Sequence, residues 1–363
     1  MEIETPLSSW DGELTCVRYD SGTGAWFLVA VHSTRLGPAA GGTRAMTYPS
    51  PGEAAADATR LAGAMTLKMA VAGLPMGGGK SVIRLPVPRA KLRAETWRQI
   101  LDVHASNLQR LHGDYWTGPD VGTNSADMDY LRKATDYAFG RSVAAGGSGS
   151  SAGATALGVF AAIRASVDDA GLGTLAGCRV LVQGLGAVGA RVAEMALEAG
   201  AELLVADIDP KRCDAAQARG ARVVNVAEVT RTSCEVLVPC ATGGLISAKI
   251  AETIPCSVVA GAANNLLRDA GSADVLAERG IVYAPDFVAN AGGAIHLVGR
   301  EVLGWTAEQV TVRTLRISQT LKTIFENAHK QGVSNERAAC DLAASELANS
   351  TVAGAGRGFE GNN

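Results

Sequence analysis

Arg179-Val180-Leu181-Val182-Gln183-Gly184-Leu185-Gly186-Ala187-Val188-Gly189 decides the fold. A short apolar run of strand length leads into Gly-x-Gly-x-x-Gly, and residues 190–199 continue as a helix. Leu203-Leu204-Val205-Ala206-Asp207 then reads as a second strand ending in an acid, 18 residues past Gly189. The glycine pattern alone is common, but strand, glycines, helix and acid-terminated strand in this order form the dinucleotide-binding fingerprint. Gly184 makes the tight turn, Gly186 admits a pyrophosphate, and Gly189 lets helix and strand pack, with Leu185, Ala187 and Val188 completing the loop. The helix start offers unpaired N–H groups to phosphate. Asp207 accepting from ribose hydroxyls favours NAD over NADP, with Asp209 nearby to share the role and Arg212 leaving a smaller opening for NADP.

Toward the C-terminus, strands at 236–238, 257–260 and 281–283 continue the α/β alternation. The segments after them are suited to a crevice at the strand carboxyl ends: Cys240-Ala241-Thr242-Gly243-Gly244, Gly261-Ala262-Ala263-Asn264-Asn265 and Pro285-Asp286. Asn264 and Asn265 also suit plain turn chemistry, but their place after such a strand favours amide hydrogen bonding to cofactor or substrate. Asn290-Ala291-Gly292-Gly293-Ala294 opens a long helical stretch, residues 306–350 are helical in pattern, and 354–363 reads as a disordered tail.

Toward the N-terminus, residues 144–154 form the clearest linker, small and flexible, ahead of a helix at 155–170. Further upstream lies Met65-Thr66-Leu67-Lys68-Met69-Ala70-Val71-Ala72-Gly73-Leu74-Pro75-Met76-Gly77-Gly78-Gly79-Lys80-Ser81. Asp57, Leu61, Met65 and Lys68 fall on one face of a helix over 53–72, and a strand is expected at 81–85. Between them a glycine turn bracketed by Lys68 and Lys80 is expected. Gly79-Lys80-Ser81 invites a phosphate-loop reading, but position 74 is Leu74 and the order is helix, turn, strand, so that reading fails. The functional alternative is backbone crowding a small ligand that Lys80 reaches, with two ammonium groups and burial making one lysine basic enough to act near neutral pH. The bland alternative is a surface turn with two solvated lysines. A hairpin is expected over 14–32, the small stretch from Leu36 to Arg44 allows close backbone approach, and Asp120 follows a strand ending in Gly118-Pro119.

A chain of 363 residues suggests two domains, and a hydrophobic content of 47% with 43 glycines suits a packed α/β protein. A net charge of -3 supplies no large positive field for nucleic acid or membrane surface. No apolar run reaches spanning length and the start is no signal peptide. Seven cysteines without Cys-x-x-Cys fit a reducing cytoplasm, and no metal-ligand spacing appears.

The chain resembles the amino acid dehydrogenase family of glutamate, leucine, valine and phenylalanine dehydrogenases over roughly 36–343. The resemblance is carried by Gly41-Gly42-Thr43-Arg44, Leu67-Lys68 with Lys80, Gly118-Pro119-Asp120-Val121-Gly122, the glycine fingerprint, Ala260 to Asn265, Tyr283-Ala284-Pro285-Asp286 and Asn290-Ala291-Gly292-Gly293. It implies that Lys68 binds the substrate α-carboxylate, Lys80 is the low-pKa acid/base that activates water, and Asp120 exchanges protons with the amine. It places Gly42, Met65, Pro119 and Asn264 at the substrate, and Thr155, Asn264, Asn290, Ala241, Thr242 and Ala262 at the cofactor. One departure is Ser151-Ala152-Gly153, where relatives carry Pro-Ser/Thr-Pro before the threonine.

The implied fold is two α/β domains around a cleft. One is a substrate-binding and oligomerisation domain over 1–147, onto which helices at about 325–350 pack back. The other is a Rossmann NAD-binding domain over 150–325. The implied reaction is reversible oxidative deamination of an L-amino acid to a 2-oxo acid and ammonia by a homo-oligomer. Glutamate dehydrogenases of the family carry a lysine and a serine where this chain has Ala40 and Leu297, so a γ-carboxylate would be buried without partners. Leucine dehydrogenases carry larger groups at Ala40, Ala294 and Gly118, which points to L-phenylalanine and phenylpyruvate. Leucine or valine follows if backbone shifts cancel those trims. A non-catalytic NAD sensor would be expected to lose Lys68, Lys80 or Asp120, and a Schiff-base lysine enzyme would need no dinucleotide fingerprint.

Overall fold

The structure is a computed structural model and describes residues 7–8, 10–269 and 271–350. The tail expected at 354–363 lies outside the described residues. The chain divides into two compact α/β units: residues 1–150 with 297–304 and 343–363, and residues 151–296 with 305–342.

Unit one is a mixed sheet of β1 (Leu14–Asp20), β2 (Ala25–Ser33), β3 (Ala39–Met46), β4 (Gly77–Arg84) and β5 (Tyr115–Pro119), ordered β1-β2-β4-β3-β5. The expected hairpin joins β1 to β2, with Asp20 accepting from the backbone N–H and hydroxyl of Thr23 and Gly24 turning at φ 70°. Helix α1 (Pro51–Val71) starts on a Ser50 cap that accepts from the Glu53 N–H, with proline at its first position. Its alanines at 54, 55, 58 and 62 are fully buried against Leu28, Ala30 and Val82. Such small side chains bring the helix close to the sheet. On the other face α2 (Ala94–Gln109) inserts Trp97, Ile100, Leu101 and Leu108 between Phe27, Val29, Ile83 and Tyr115. Helix α3 (Ser125–Leu131) is tied in by Trp97, whose indole N–H donates to Asp127 at 2.7 Å.

Two expectations change here. The triple glycine is not a turn but the first half of β4, and the turn is confined to residues 72–76. A Cβ on Gly78 would lie 2.1 Å from the Thr66 nitrogen, one on Gly79 2.7 Å from the Tyr115 ring, and one on Gly77 1.9 Å from the Ser33 carbonyl oxygen. The glycines therefore serve close packing on both faces of the strand. Nor is 144–154 a loose coil. Val143–Ala145 forms a 3-10 turn, and Arg141 donates to the carbonyls of Ala145 and Gly146. The buried Glu301 carboxylate accepts from the N–H groups of Gly140, Arg141 and Ser148.

Unit two is an all-parallel sheet of β6 (Arg179–Gln183), β7 (Glu202–Ala206), β8 (Arg222–Val223), β9 (Val236–Pro239), β10 (Val258–Val259) and β11 (Val282–Tyr283). Its order, β11-β10-β9-β6-β7-β8, is the doubly wound Rossmann order, with the switch point between β6 and β9. Leu181, Leu204, Leu237, Val259 and Tyr283 fill one side of the sheet. Helix α4 (Ala152–Asp169) begins three residues ahead of Thr155, and α5 (Gly189–Glu198) begins at the last glycine of the fingerprint.

Candidate active site and cofactor site

In unit one the sheet delivers Lys80 from β4 and Asp120 from the residue after β5. Lys80 is 6% exposed, faces α1, and its ammonium donates to the Asp120 carboxylate. Gly42 makes this possible, since a Cβ there would sit 2.8 Å from that of Asp120. Thr123 holds the loop: its hydroxyl accepts from the Asp120 N–H and donates to the Thr43 carbonyl. Gly122 turns at φ 81° so closely under β3 that a Cβ would meet the Ala45 oxygen at 1.8 Å.

Two residues unassigned at the sequence level complete this charge cluster. Arg44 Nη2 lies 3.5 Å from the same Asp120 oxygen, and Arg44 Nη1 donates to Asp57 at 2.9 Å. Asp57 also accepts from Tyr48 at 2.7 Å and from Arg60 at 2.6 Å. Burial pushes the Lys80 ammonium below its ordinary range; Asp120 pulls it back up, and Arg44 pushes it down again. Burial alone would raise Asp120, but Lys80 and then Arg44 outweigh it and hold the carboxylate below its usual range. Beside the second ammonium that the sequence suggested as a depressing charge, the guanidinium of Arg44 acts on this pair. Arg44 ends the Gly-Gly-Thr-Arg stretch, but its partner Asp57 is 13 residues away on another element, so no local pattern joins them.

Lys68 occupies the last turn of α1, two residues past Thr66, and is half-buried. Met65 packs over Gly41, its Cγ 3.4 Å from where a Cβ would lie. Ala40 is fully buried in β3. Pro119 and Leu297 both neighbour Gly140, at 2.4 Å and 3.7 Å from a Cβ built there. Gly118 lies under Phe139, whose ring would come within 2.6 Å of an added Cβ. The space that a missing methyl leaves at Gly118 is thus filled by Phe139, which nothing in the local sequence signalled.

Behind the sheet, on the α2 side, lies a wholly buried polar knot. The Thr43 hydroxyl is 2.7 Å from Ser81 Oγ, 2.8 Å from His104 Nε2 and 2.6 Å from Thr117 Oγ1. Burial drives the His104 imidazole down to about 3, so it stays neutral. The knot ties β3, β4 and β5 together one residue from Gly42, Lys80 and Gly118.

In unit two the residues read as a cofactor site gather at the switch point. Gly184 turns at φ 90°, with Ala241 2.8 Å from a Cβ there, and Gly189 allows no Cβ because the Gly184 oxygen lies 1.9 Å away. Gly186 differs: nothing lies within 4 Å of its Cβ position. Helix α5 has no side-chain cap on its N-terminus, which suits the approach of a pyrophosphate. Asp207 accepts from the N–H groups of Leu185 at 2.6 Å and Asp209 at 2.8 Å, with Arg212 at 3.6 Å. Burial alone would raise its carboxyl, but these donors hold it below the usual range. Asp207 is therefore a brace of the glycine loop as well as the acid at the end of β7.

The loops after β9 and β10 place Ala241, Thr242, Ala262 and Asn264 on the same carboxyl-end side. Asn290 Nδ2 donates to Asn264 Oδ1 at 2.9 Å and to the Ala262 carbonyl at 3.2 Å, while its own Oδ1 is buried without a partner. Thr155 donates to Ser151 O at 3.0 Å, and Gly293 leaves room for its hydroxyl. Ala294 is half-buried one turn before Leu297 on the helix Gly292–Glu301. An open glycine, an uncapped helix start and an orphaned amide oxygen that suits a carboxamide N–H fit NAD. Among the described residues no group of three or more potential metal ligands occurs, and no helix is long and apolar enough to cross a membrane.

Comparison with known proteins identifies the family. The profile of the Glu/Leu/Phe/Val dehydrogenase dimerisation domain matches residues 16–137. That of Glutamate/Leucine/Phenylalanine/Valine dehydrogenase matches 146–211 and 205–356. Leucine dehydrogenase of Thermoactinomyces intermedius is 38% identical over 94% of this chain and 93% of its own length. Phenylalanine dehydrogenase of Lysinibacillus sphaericus is 37% identical over 85% and 81%. The crystal structure of L-tryptophan dehydrogenase from Nostoc punctiforme superimposes with a TM-score of 0.80 at 33% identity, covering 94% of this chain and 98% of that one. The chain belongs to the Glu/Leu/Phe/Val dehydrogenase family of NAD(H)-dependent amino acid dehydrogenases.

Proposed function

We propose that this enzyme oxidatively deaminates an apolar aliphatic L-amino acid, L-leucine first, to its 2-oxo acid and ammonia, reversibly and with NAD. The observation that carries the reading is the buried Lys80 held against Asp120, with burial and Arg44 lowering its basicity. Lys68 binds the α-carboxylate, with Gly42, Met65 and Pro119 shaping the surface around the amino acid. Asp120 takes a proton from the substrate ammonium. The Gly184–Gly189 loop, Asp207, Thr155, Asn264 and Asn290 would hold NAD, which would supply the acceptor for the hydride of Cα. Lys80, as free amine, then removes a proton from water, and the oxygen adds to the iminium carbon. The Lys80 ammonium gives that proton to the amino nitrogen of the carbinolamine, and as the C–N bond breaks the hydroxyl proton passes back to the free Lys80 amine, so that ammonia and the 2-oxo acid leave. A lysine at its ordinary pKa would stay protonated near neutrality, so its burial is a chemical requirement.

Substrate choice rests on the apolar wall. Ala40 and Leu297 offer nothing to a γ-carboxylate, which disfavours glutamate. Leucine is favoured over phenylalanine because Phe139 fills the space over Gly118 and because leucine dehydrogenases stand among the most similar relatives. Phenylalanine remains the second reading, on the small residues Ala40 and Ala294 and a phenylalanine dehydrogenase at 37% identity. The difference between such side chains is worth only ~1–3 kcal/mol. A homo-oligomer is part of the reading: edge strand β1 exposes Val17 and Tyr19 on one face, an apolar pair suited to self-association. The test is NADH formation with L-leucine, L-valine, L-phenylalanine and L-glutamate in parallel. A kcat/KM highest for leucine or valine supports the reading, preference for phenylalanine selects the second, and preference for glutamate contradicts both.

A further inference from the structure

We propose that Arg44 is a positioning residue of this reaction: braced by Asp57 and Tyr48, its guanidinium fixes the Asp120 carboxylate against the Lys80 ammonium. The inference rests on the reading of Lys80 as the base.

The geometry is a chain of charges crossing three elements. Asp57 on α1 and Asp120 after β5 flank Arg44 on β3, at 2.9 Å and 3.5 Å. Tyr48 and Arg60 hold Asp57 in turn, and Arg84 Nε donates to the Tyr48 carbonyl at 3.1 Å, anchoring that loop to β4. The Arg44 side chain is only 19% exposed, and its Nε is buried without a partner. A buried donor left unpaired is costly, so this placement is poor as a stability device and is better explained by the charge it brings to Asp120. Lysine would not serve equally. The planar fork reaches Asp57 and Asp120 from different nitrogens, which a single ammonium does less well.

The consequence concerns proton exchange. The charged groups that act on Lys80 are Asp120 from the β5 loop, Arg44 from β3 and Asp57 from α1, with Arg60 held on Asp57 and Lys68 on the last turn of the same helix. Tyr115 on β5 adds a phenol, and His32 on β2 is engaged by Thr66 and Asp11. Within this set Arg44 lowers Lys80 and Asp57 raises it. The free-amine form of Lys80 is the working base, so activity rises with pH as its ammonium loses the proton. Removing the Arg44 charge moves that rising limb to higher pH. Removing the Asp57 charge moves it to lower pH.

The experiment compares kcat/KM against pH for the full-length wild type, Arg44→Gln, Arg44→Lys and Asp57→Asn, with NAD saturating and thermal melts recorded for each. Arg44→Gln should lose activity most at low pH, the deficit closing as pH rises, and Arg44→Lys should restore the position of the limb while leaving the rate below wild type. Asp57→Asn should shift the limb the opposite way, and it remains informative if Arg44→Gln fails to fold. A uniform loss at every pH, or shifts in the same direction for Arg44→Gln and Asp57→Asn, would mean a merely structural role and overturn the inference. Lys80→Ala run beside them separates the two ideas. If it keeps turning over, the reading of Lys80 has failed; if it is dead while the Arg44 profiles do not move, only the role of Arg44 has.

Discussion

Gly77-Gly78-Gly79 and the Gly184, Gly186, Gly189 set are equally rich in glycine and do different work. In the first, every missing Cβ is replaced by the protein's own atoms: Ser33, Thr66 and Tyr115 press on the strand from three directions. In the second, Gly184 and Gly189 are closed in the same manner, but Gly186 faces open space beside an uncapped helix start. In these two sets, glycine in the strand marks tight packing, and Gly186, without a neighbour, marks room for a ligand. The distinction separates a first unit built by compression around Lys80 from a second that keeps a gap beside its glycine fingerprint.

Breaking this contrast should be easiest at Gly78. Gly78→Ala puts a methyl against the Thr66 backbone, which cannot move without α1, so the cost should reach or exceed the ~1–3 kcal/mol of ordinary overpacking. A thermal melt should show a large fall in Tm, and an unchanged Tm would refute the packing role. The next effect is pH-dependent and belongs to the first unit. His104 is held neutral with its pKa at about 3, against an unfolded value near 6.5. Its contribution is complete above the unfolded value and is lost as pH falls toward 3, because the unfolded chain takes up the proton first. Between pH 6 and pH 4 this should remove about 2 kcal/mol, read as a falling Tm, and His104→Asn should flatten that slope. The mildest change is at Gly186. Gly186→Ala should leave Tm unchanged and raise the NAD Kd on the order of tenfold, about 1.4 kcal/mol, by titration calorimetry. A loss of Tm there would erase the difference between the two glycine sets.

What could be read in advance follows the same line. The Rossmann unit was legible because strand, glycines, helix and Asp207 are consecutive, and each residue's role is fixed by near neighbours. The triple glycine was not, because strand propensity argues against it. It is a strand only because β2 and β3 pair with β4 on either side and α1 covers it. Lys80 and Asp120 were found as residues but not as a pair with Arg44. The Arg44–Asp57 link, the Phe139 ring over Gly118, the Glu301 brace of 140–148 and the His104 knot each join residues from separate elements. Their signal lies in packing, which a single sequence does not write in a local pattern.

The most direct test of the central claim is stopped-flow NADH formation by Lys80→Ala at saturating L-leucine and NAD, with NAD affinity measured on the same sample. With Lys80 as the base, NAD affinity should be unchanged and the rate lower by about 10²–10⁴-fold, the usual contribution of a positioned base. Turnover near the wild-type rate with NAD bound normally would contradict it.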